Sequence, residues 1–335
     1  MSKIVLITGA SRGVGAASAV LFSKSGFDVV LNCSSTKSDA EKVAKECALN
    51  GVRTLVIEKD ISDEENCNSI VGETIQEFGQ LDVLVNNAAR TKFAFNHADM
   101  SALNSQDFLS IYATNVAAPY NLIKYSLNYL NASEIGSVVN VASMAGINAI
   151  GSSVAYAASK AALINMTTSL ARALGPIKVN AVCPGFIEGE WLKKGLGEEI
   201  YNATRETIMN TNPLGKVCTP VDVANAIYYL ACGQEITTGE TLILDQRCSR
   251  ECESDRRFRS PRRRHRGGSR CPPGPPSALD DVRSPIRRAI GTRRSRRRRF
   301  EHKRSRRRRL WPAFWPSPLR SLCWRRTPWR VSRTR

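Results

Sequence analysis

Seven short apolar runs punctuate the first 245 residues: Lys3–Thr8, Asp28–Cys33, Thr54–Glu58, Asp82–Asn86, Gly136–Ala142, Ile177–Cys183 and Thr241–Leu244. Runs such as "IVLIT" are apolar nearly throughout instead of alternating with polar residues, the mark of strands buried on both faces. Between them lie stretches of helical period near Val14–Ser25, Ser38–Asn50, Asp63–Phe78, Asn104–Leu130, Ser153–Leu174 and Pro220–Ala231. Strand and helix in regular alternation predict an α/β fold: a single doubly wound parallel sheet of about seven strands with helices on both faces. In such a sheet a ligand sits beyond the carboxyl ends of the strands. Chemistry is therefore sought in the residues just past each strand.

After the first strand comes "TGASRGVG", Thr8 to Gly15. Its glycines allow a tight turn and close backbone approach to a pyrophosphate, and the next helix offers free N–H groups and a positive dipole end. Three glycines alone say little, but between a strand and a helix they point to a dinucleotide. An acidic residue ending the second strand would bind the adenosine ribose and repel a 2′-phosphate. This chain has neutral Asn32, Cys33, Ser34 and Ser35 there, with Arg12 and Lys37 as nearby cations. That favours NADP over NAD, against the plainer reading of two solvated surface charges. Asp60, just past the third strand, is placed to accept a hydrogen bond from the adenine amino group. Its other role would be to cap the next helix, for which Ser62 and Asp63 are better placed.

The fifth strand delivers Ser143 at its carboxyl end, and thirteen residues later stands "YAASK". Four residues advance a helix by about 400° and 6 Å, so Tyr156 and Lys160 share a face. An ammonium about 4 Å from a phenolate stabilises it by roughly 1–4 kcal/mol, which would lower the phenol's pKa by about one to three units. Tyr156 could then exchange a proton with a carbonyl oxygen held by Ser143.

These motifs together resemble the short-chain dehydrogenase/reductase family across residues 3–245: "TGASRGVG", Asp60, "NNA" at Asn86–Ala88, Asn115 in "YATNV", Ser143, "YAASK" and "PG" at Pro184–Gly185. The resemblance is nearest to 3-oxoacyl-acyl-carrier-protein reductases. It implies a Rossmann-like catalytic domain over 1–245, a homotetramer and a catalytic tetrad of Asn115, Ser143, Tyr156 and Lys160. Asn115 would bind a helix carbonyl and a relay water leading to Lys160, which would also touch the nicotinamide ribose. The implied cofactor contacts are Thr8, Gly9, Ser11, Arg12, Gly13, Val14, Gly15, Ser34, Asp60, Ile61, Asn87, Ala88, Tyr156, Lys160, Pro184, Gly185 and Ile187. Three departures stand out: Ala89 where the family has "NNAG", Gly189 where a threonine commonly holds the nicotinamide carboxamide, and Asp245–Gln246–Arg247 in place of a terminal "DGG".

Charge adds a second story. The chain is +19 overall, yet residues 1–245 carry 18 Lys+Arg against 24 Asp+Glu, while residues 246–335 carry 31 against 6. In that tail Leu, Ile, Val and Phe number 11 of 90, too few for so charged a segment to order itself, so disorder is expected. Two readings stand for it. Arginines with interleaved tryptophans suit polyanions or nucleic acid. Alternatively, the switch to arginine at the point where the family's glycines belong marks a frameshift or fusion junction.

The body is net negative, and "SLNYLNASEIGS" and "ARALGPIK" offer only Arg172 and Lys178 to an acidic carrier protein, so a free ketone, alcohol or coenzyme-A thioester competes as substrate. Phe93, Phe95, His97, Phe186 and Trp191 are candidates to line the pocket, with ordinary packing as the rival reading and His97 non-catalytic. The body's six scattered cysteines read as reduced, packed thiols without metal-ligand spacing, and Cys248 and Cys252 lack a second pair for zinc. No signal-peptide pattern or membrane-length apolar run is present, so a cytoplasmic enzyme is expected. A dinucleotide-binding scaffold without turnover is the remaining alternative, which the complete tetrad opposes.

Overall fold

The computed structural model describes residues 2–244. The expectations for residues 246–335, including Cys248 and Cys252, lie outside the described residues.

All seven strands form one parallel sheet. They are β1 (Ile4–Thr8), β2 (Asp28–Cys33), β3 (Thr54–Glu58), β4 (Val83–Asn86), β5 (Ser137–Val141), β6 (Lys178–Pro184) and β7 (Thr241–Leu244), in the order β3-β2-β1-β4-β5-β6-β7. The helices are α1 (Gly13–Lys24), α2 (Lys37–Ala48), α3 (Glu64–Phe78), α4 (Ser105–Tyr112), α5 (Ala118–Ala132), α6 (Ala145–Asn148), α7 (Val154–Ala173), α8 (Glu190–Leu196), α9 (Glu198–Thr211) and α10 (Pro220–Cys232). Among the described residues, no helix is long and apolar enough to cross a membrane.

Continuous apolar strands result from a sheet covered on both sides. Val5 and Ile7 of β1 face one way, with Phe22 of α1, Cys47 of α2 and Ile227 of α10. Ile4 and Leu6 face the other, with Ile70 of α3 and Leu122 of α5. Successive strand residues thus feed opposite cores, the two-residue period of a pleated strand. The strand order reverses between β1 and β4, where the loops leaving the strands part to opposite faces and open a crevice.

Buried polar side chains beneath that crevice are linked in a chain. Asn86 Nδ2 donates to Asn140 Oδ1 at 2.8 Å, and Asn140 Nδ2 donates to Thr167 Oγ1 at 2.9 Å. The chain of bonds ties β4 to β5 and β5 to α7, and all three residues are buried. A buried amide left without its partner costs about 1–3 kcal/mol. Asn140→Ala leaves the Asn86 amide without its acceptor, while Thr167 keeps its bond to Leu163 O, and is expected to lower the stability of the body by about that amount, read as a drop in the urea midpoint.

The helical stretch expected over Asn104–Leu130 differs in detail. Residues Ala113–Ala117 form a π turn between α4 and α5. Two helices, α8 and α9, fill residues 190–211, where the sequence pattern predicts no helix.

Candidate active site

The crevice is built first by β4. Asn87 Nδ2 donates to the carbonyls of Thr8 (2.8 Å) and Gly9 (3.0 Å). Thr8 Oγ1 in turn accepts the Asn87 and Ala88 N–H groups, each at 3.0 Å. These four bonds clamp the glycine-rich turn onto the end of β4. The packing leaves no room for a side chain: a Cβ on Gly15 would lie 2.3 Å from the Gly9 carbonyl oxygen and 2.6 Å from Asn87 Nδ2. Gly9 adds a left-handed φ of 62°. Thr8, Asn87 and Ala88 therefore shape the turn from inside.

The turn opens onto the N-terminus of α1. Arg12 is its N-cap without a side-chain hydrogen bond, and the first turn holds no acidic residue. By contrast Asp63, Asn104, Ser153 and Thr219 each cap their helices. Uncapped N–H groups beside an open Gly13, whose Cβ would meet nothing within 4 Å, fit the diphosphate of a nicotinamide dinucleotide.

At the end of β2, Asn32 turns its amide inward to the carbonyls of Ile57 (3.2 Å) and Lys59 (3.0 Å). Ser34, Ser35, Arg12 and Lys37 lie toward solvent there. Asp39, an acid on the first turn of α2, pairs with Lys42 at 2.8 Å, and that pair together with Arg12 holds its carboxyl below the usual range. Asp60 receives Ser62 N–H at 2.9 Å and a long contact from Arg90 at 3.4 Å, while Asp63 caps α3. Ile61 packs in the core, and its carbonyl accepts the Cys67 thiol at 3.2 Å. Ser11 Oγ accepts from Thr36 at 2.7 Å. Pro184 ends β6, Gly185 N–H is held by Leu244 O at 3.0 Å, and Ile187 bridges to Cys218.

At the adjoining strand ends stand Ser143, just past β5, and Tyr156 and Lys160 on α7. Ser143 Oγ accepts Ala145 N–H at 3.1 Å, which leaves its own proton free to donate. Lys160 is 2% exposed and donates to Val141 O at 2.7 Å, with its nitrogen 5.6 Å from the centre of the Tyr156 ring. The phenol departs from the sequence-based expectation of a lowered pKa. Burial, the larger effect, pushes it up to about 12, and the Ser143 hydroxyl pulls the other way. The ammonium is tied to a carbonyl, and loss of solvent around the phenolate wins. The same burial brings Lys160 down to about 8.

Asn115 sits in the π turn, a local widening common at functional positions. Its carboxamide takes Arg90 N–H at 2.8 Å and donates to Arg90 O at 2.9 Å and Ser159 Oγ at 3.0 Å. Ser159 donates to Tyr156 O at 2.7 Å. Asn115 thus links the loop after β4 to the helix bearing Tyr156, through a residue whose role the sequence did not single out. Its signal was present: Ser159 lies within "YAASK". Cys183 is another neighbour, buried beside Ser143 N–H with its thiol pushed up to about 11.

Of the aromatic candidates, Phe93 meets Phe95 and Trp191, and Trp191 meets Tyr156. Phe186 instead packs on Tyr201, and His97 contacts the Gly151 carbonyl. The described cysteines are free, five of six buried, and no group of three or more metal-ligating residues occurs among the described residues.

A family model for short chain dehydrogenases matches residues 3–199. The chain belongs to that family. Its members are oxidoreductases that bind NAD or NADP. The dehydrogenase is 36% identical over 245 residues to a Streptomyces violaceoruber protein assigned as ketoacyl reductase 2 of the granaticin polyketide synthase, covering 73% of this chain and 95% of that one. It is 31% identical to the 3-oxoacyl-acyl-carrier-protein reductase of Staphylococcus aureus, covering 72% and 96%. Among solved structures, a Burkholderia xenovorans protein assigned to the short-chain dehydrogenases/reductases matches with TM-score 0.66 and 30% identity, over 72% of this chain and 96% of that one.

In this dehydrogenase Asn87→Ala removes two of the four bonds that clamp the glycine turn. It is expected to weaken dinucleotide binding about tenfold, roughly the worth of one well-made hydrogen bond, measured by titration of intrinsic fluorescence.

Proposed function

We propose that the dehydrogenase uses NADPH to reduce the ketone of a 3-oxoacyl thioester to an alcohol, with Asn115, Ser143, Tyr156 and Lys160 as its tetrad. The observation that carries this reading is the meeting of a protonated phenol, a hydroxyl with a free proton and a buried ammonium beside a turn suited to a dinucleotide. A bound nicotinamide supplies hydride to the carbonyl carbon. As charge grows on the carbonyl oxygen, Tyr156 gives it the phenolic proton and Ser143 donates a second hydrogen bond to it. A phenol held near pKa 12 is fully protonated at neutral pH, so it begins the reductive direction as an acid. Lys160 keeps two N–H groups beyond the one on Val141 O, and its positive charge favours the phenolate left behind. Asn115 holds the helix of Tyr156 and Lys160 against the Arg90 loop, a positioning part in the reaction.

Neutral side chains and cations at the end of β2, with Asp39 paired to Lys42, support NADPH over NADH. The names of the relatives support a 3-oxoacyl substrate. The surface charges support a free thioester over one borne on an acidic carrier. Lys178 is spent on the carbonyls of Ala231 and Gln234, Lys193 on Glu198, Lys92 on Asp107 and Arg205 on Glu188. These cations are already engaged within the body; Arg172 and Lys194 have no ion-pair partner among the described residues, a small basic surface for an acidic partner.

Tyr156→Phe is expected to keep NADPH binding and to lose at least about 100-fold in turnover of acetoacetyl-coenzyme A, read from NADPH absorbance. The pH profile of reduction falls above about pH 8, where Lys160 loses its proton while Tyr156 remains protonated; a fall that begins only above about pH 10, the ordinary phenol range, would assign the limb to Tyr156. Arg12→Glu cuts the NADPH-to-NADH preference about tenfold or more at low salt, compared as kcat/KM ratios.

A further inference from the structure

Three large aromatic side chains near the site belong to none of the hydrophobic clusters that build the body. Phe93, Phe95 and Trp191 are 37, 45 and 42% exposed, and the clusters on and beside the sheet are made of other residues. They nevertheless touch one another in a line. Ring centres lie 5.6 Å apart for Phe95 and Phe93, 5.4 Å for Phe93 and Trp191, and 6.3 Å for Trp191 and Tyr156, all tilted by 32–54°. These separations lie within the range where aromatic rings attract. The line therefore runs from solvent to the phenol proposed to deliver the proton.

Both halves of the line are held in place. The loop bearing the two phenylalanines is tied to the end of the α6–α7 connection: Ala94 N–H donates to Ser152 O at 2.6 Å, and Thr91 and Ser152 share a hydroxyl contact at 2.7 Å. Trp191 lies on α8, and one turn along that helix Gly195 faces the Phe93 ring. A Cβ at Gly195 would stand 2.2 Å from two ring atoms. Only glycine lets α8 come this close. Two charged neighbours in these segments are engaged elsewhere, Lys92 by Asp107 and Lys193 by Glu198.

We propose that Phe95, Phe93 and Trp191 form an aromatic wall, assembled through the notch at Gly195, that selects 3-oxoacyl substrates carrying a flat apolar group next to the reacting ketone. The inference rests on the reductase reading above and names the substrate class of that site. An aryl or conjugated group offers a rigid face to the wall and gives up little more than the one bond joining it to the ketone. A saturated chain must order each bond to make similar contact. Trp191 is the specificity-determining residue, because its ring alone touches both the wall and Tyr156.

The test compares kcat/KM of the full-length chain for benzoylacetyl-coenzyme A and acetoacetyl-coenzyme A, which differ only in phenyl against methyl beside the ketone. The aryl substrate is expected to be favoured at least about tenfold. Trp191→Ala should lose at least about tenfold more on the aryl substrate than on the acetoacetyl one. Gly195→Ala, which leaves Trp191 in place but forces Phe93 away, should narrow the same ratio at least about threefold. A wild-type ratio near one, or equal losses on both substrates in Trp191→Ala and Gly195→Ala, overturns the wall while acetoacetyl turnover leaves the reductase standing. Absence of turnover on both, in a chain that still binds NADPH, overturns the thioester reading and the wall with it.

Discussion

Everything at the carboxyl edge of the sheet depends on the clamp between β1 and β4. A glycine-rich turn has little conformational preference of its own, and backbone amides are useful to a diphosphate only when fixed. Thr8 and Asn87 supply that rigidity by reciprocal bonding: each strand's side chain satisfies the other's backbone. The clamp lies at the reversal in strand order, where no crossing connection covers the edge. It places the uncapped start of α1 at the mouth of the crevice and sets the distance from that mouth to Ser143 and Tyr156, two strands away.

A second set of hydrogen bonds between side chains continues beneath the surface. Asn86, Asn140 and Thr167 carry hydrogen bonding across β4, β5 and α7, and Asn115 with Ser159 carries it from the Arg90 loop into α7. Helix α7 is thereby fixed at two heights, which matters because it bears both Tyr156 and Lys160. Lys160 is nearly inaccessible to solvent, and its long side chain runs through the interior to end on the Val141 carbonyl.

Much of this was legible in the chain. The strands were readable because burial on both faces leaves continuous apolar runs such as Ile4–Thr8, bounded by turn residues. The glycine turn, Ser143 and the Tyr156–Lys160 pair were readable because their spacing relates them to strand ends and a helix face. Other features depend on tertiary context. Asn87 was expected as a cofactor contact; that its Nδ2 also holds the carbonyls of Thr8 and Gly9 has no local signature. Lys160 was expected to lower the phenol's pKa, yet burial dominates, and neither the anchoring carbonyl nor the desolvation has a local signature. Helices α8 and α9 bury only Tyr201 and Ile208, so no apolar stripe announced them. The notch at Gly195 depends on Phe93, a ring that lies far earlier in the chain.

The π turn at Ala113–Ala117 has a consequence for the phase of the whole 105–132 segment. A π turn accommodates one residue more than an α turn, and each extra residue rotates the remainder of the helix by about 100°. Helix α5 needs Leu122, Ile123 and Leu130 against the sheet, while Asn115 must reach the Arg90 loop and Ser159. The wider turn lets both demands be met within one continuous helical rod. The rod thus behaves as two keyed shafts joined by an offset coupling, and the asparagine of the proposed tetrad occupies the coupling itself.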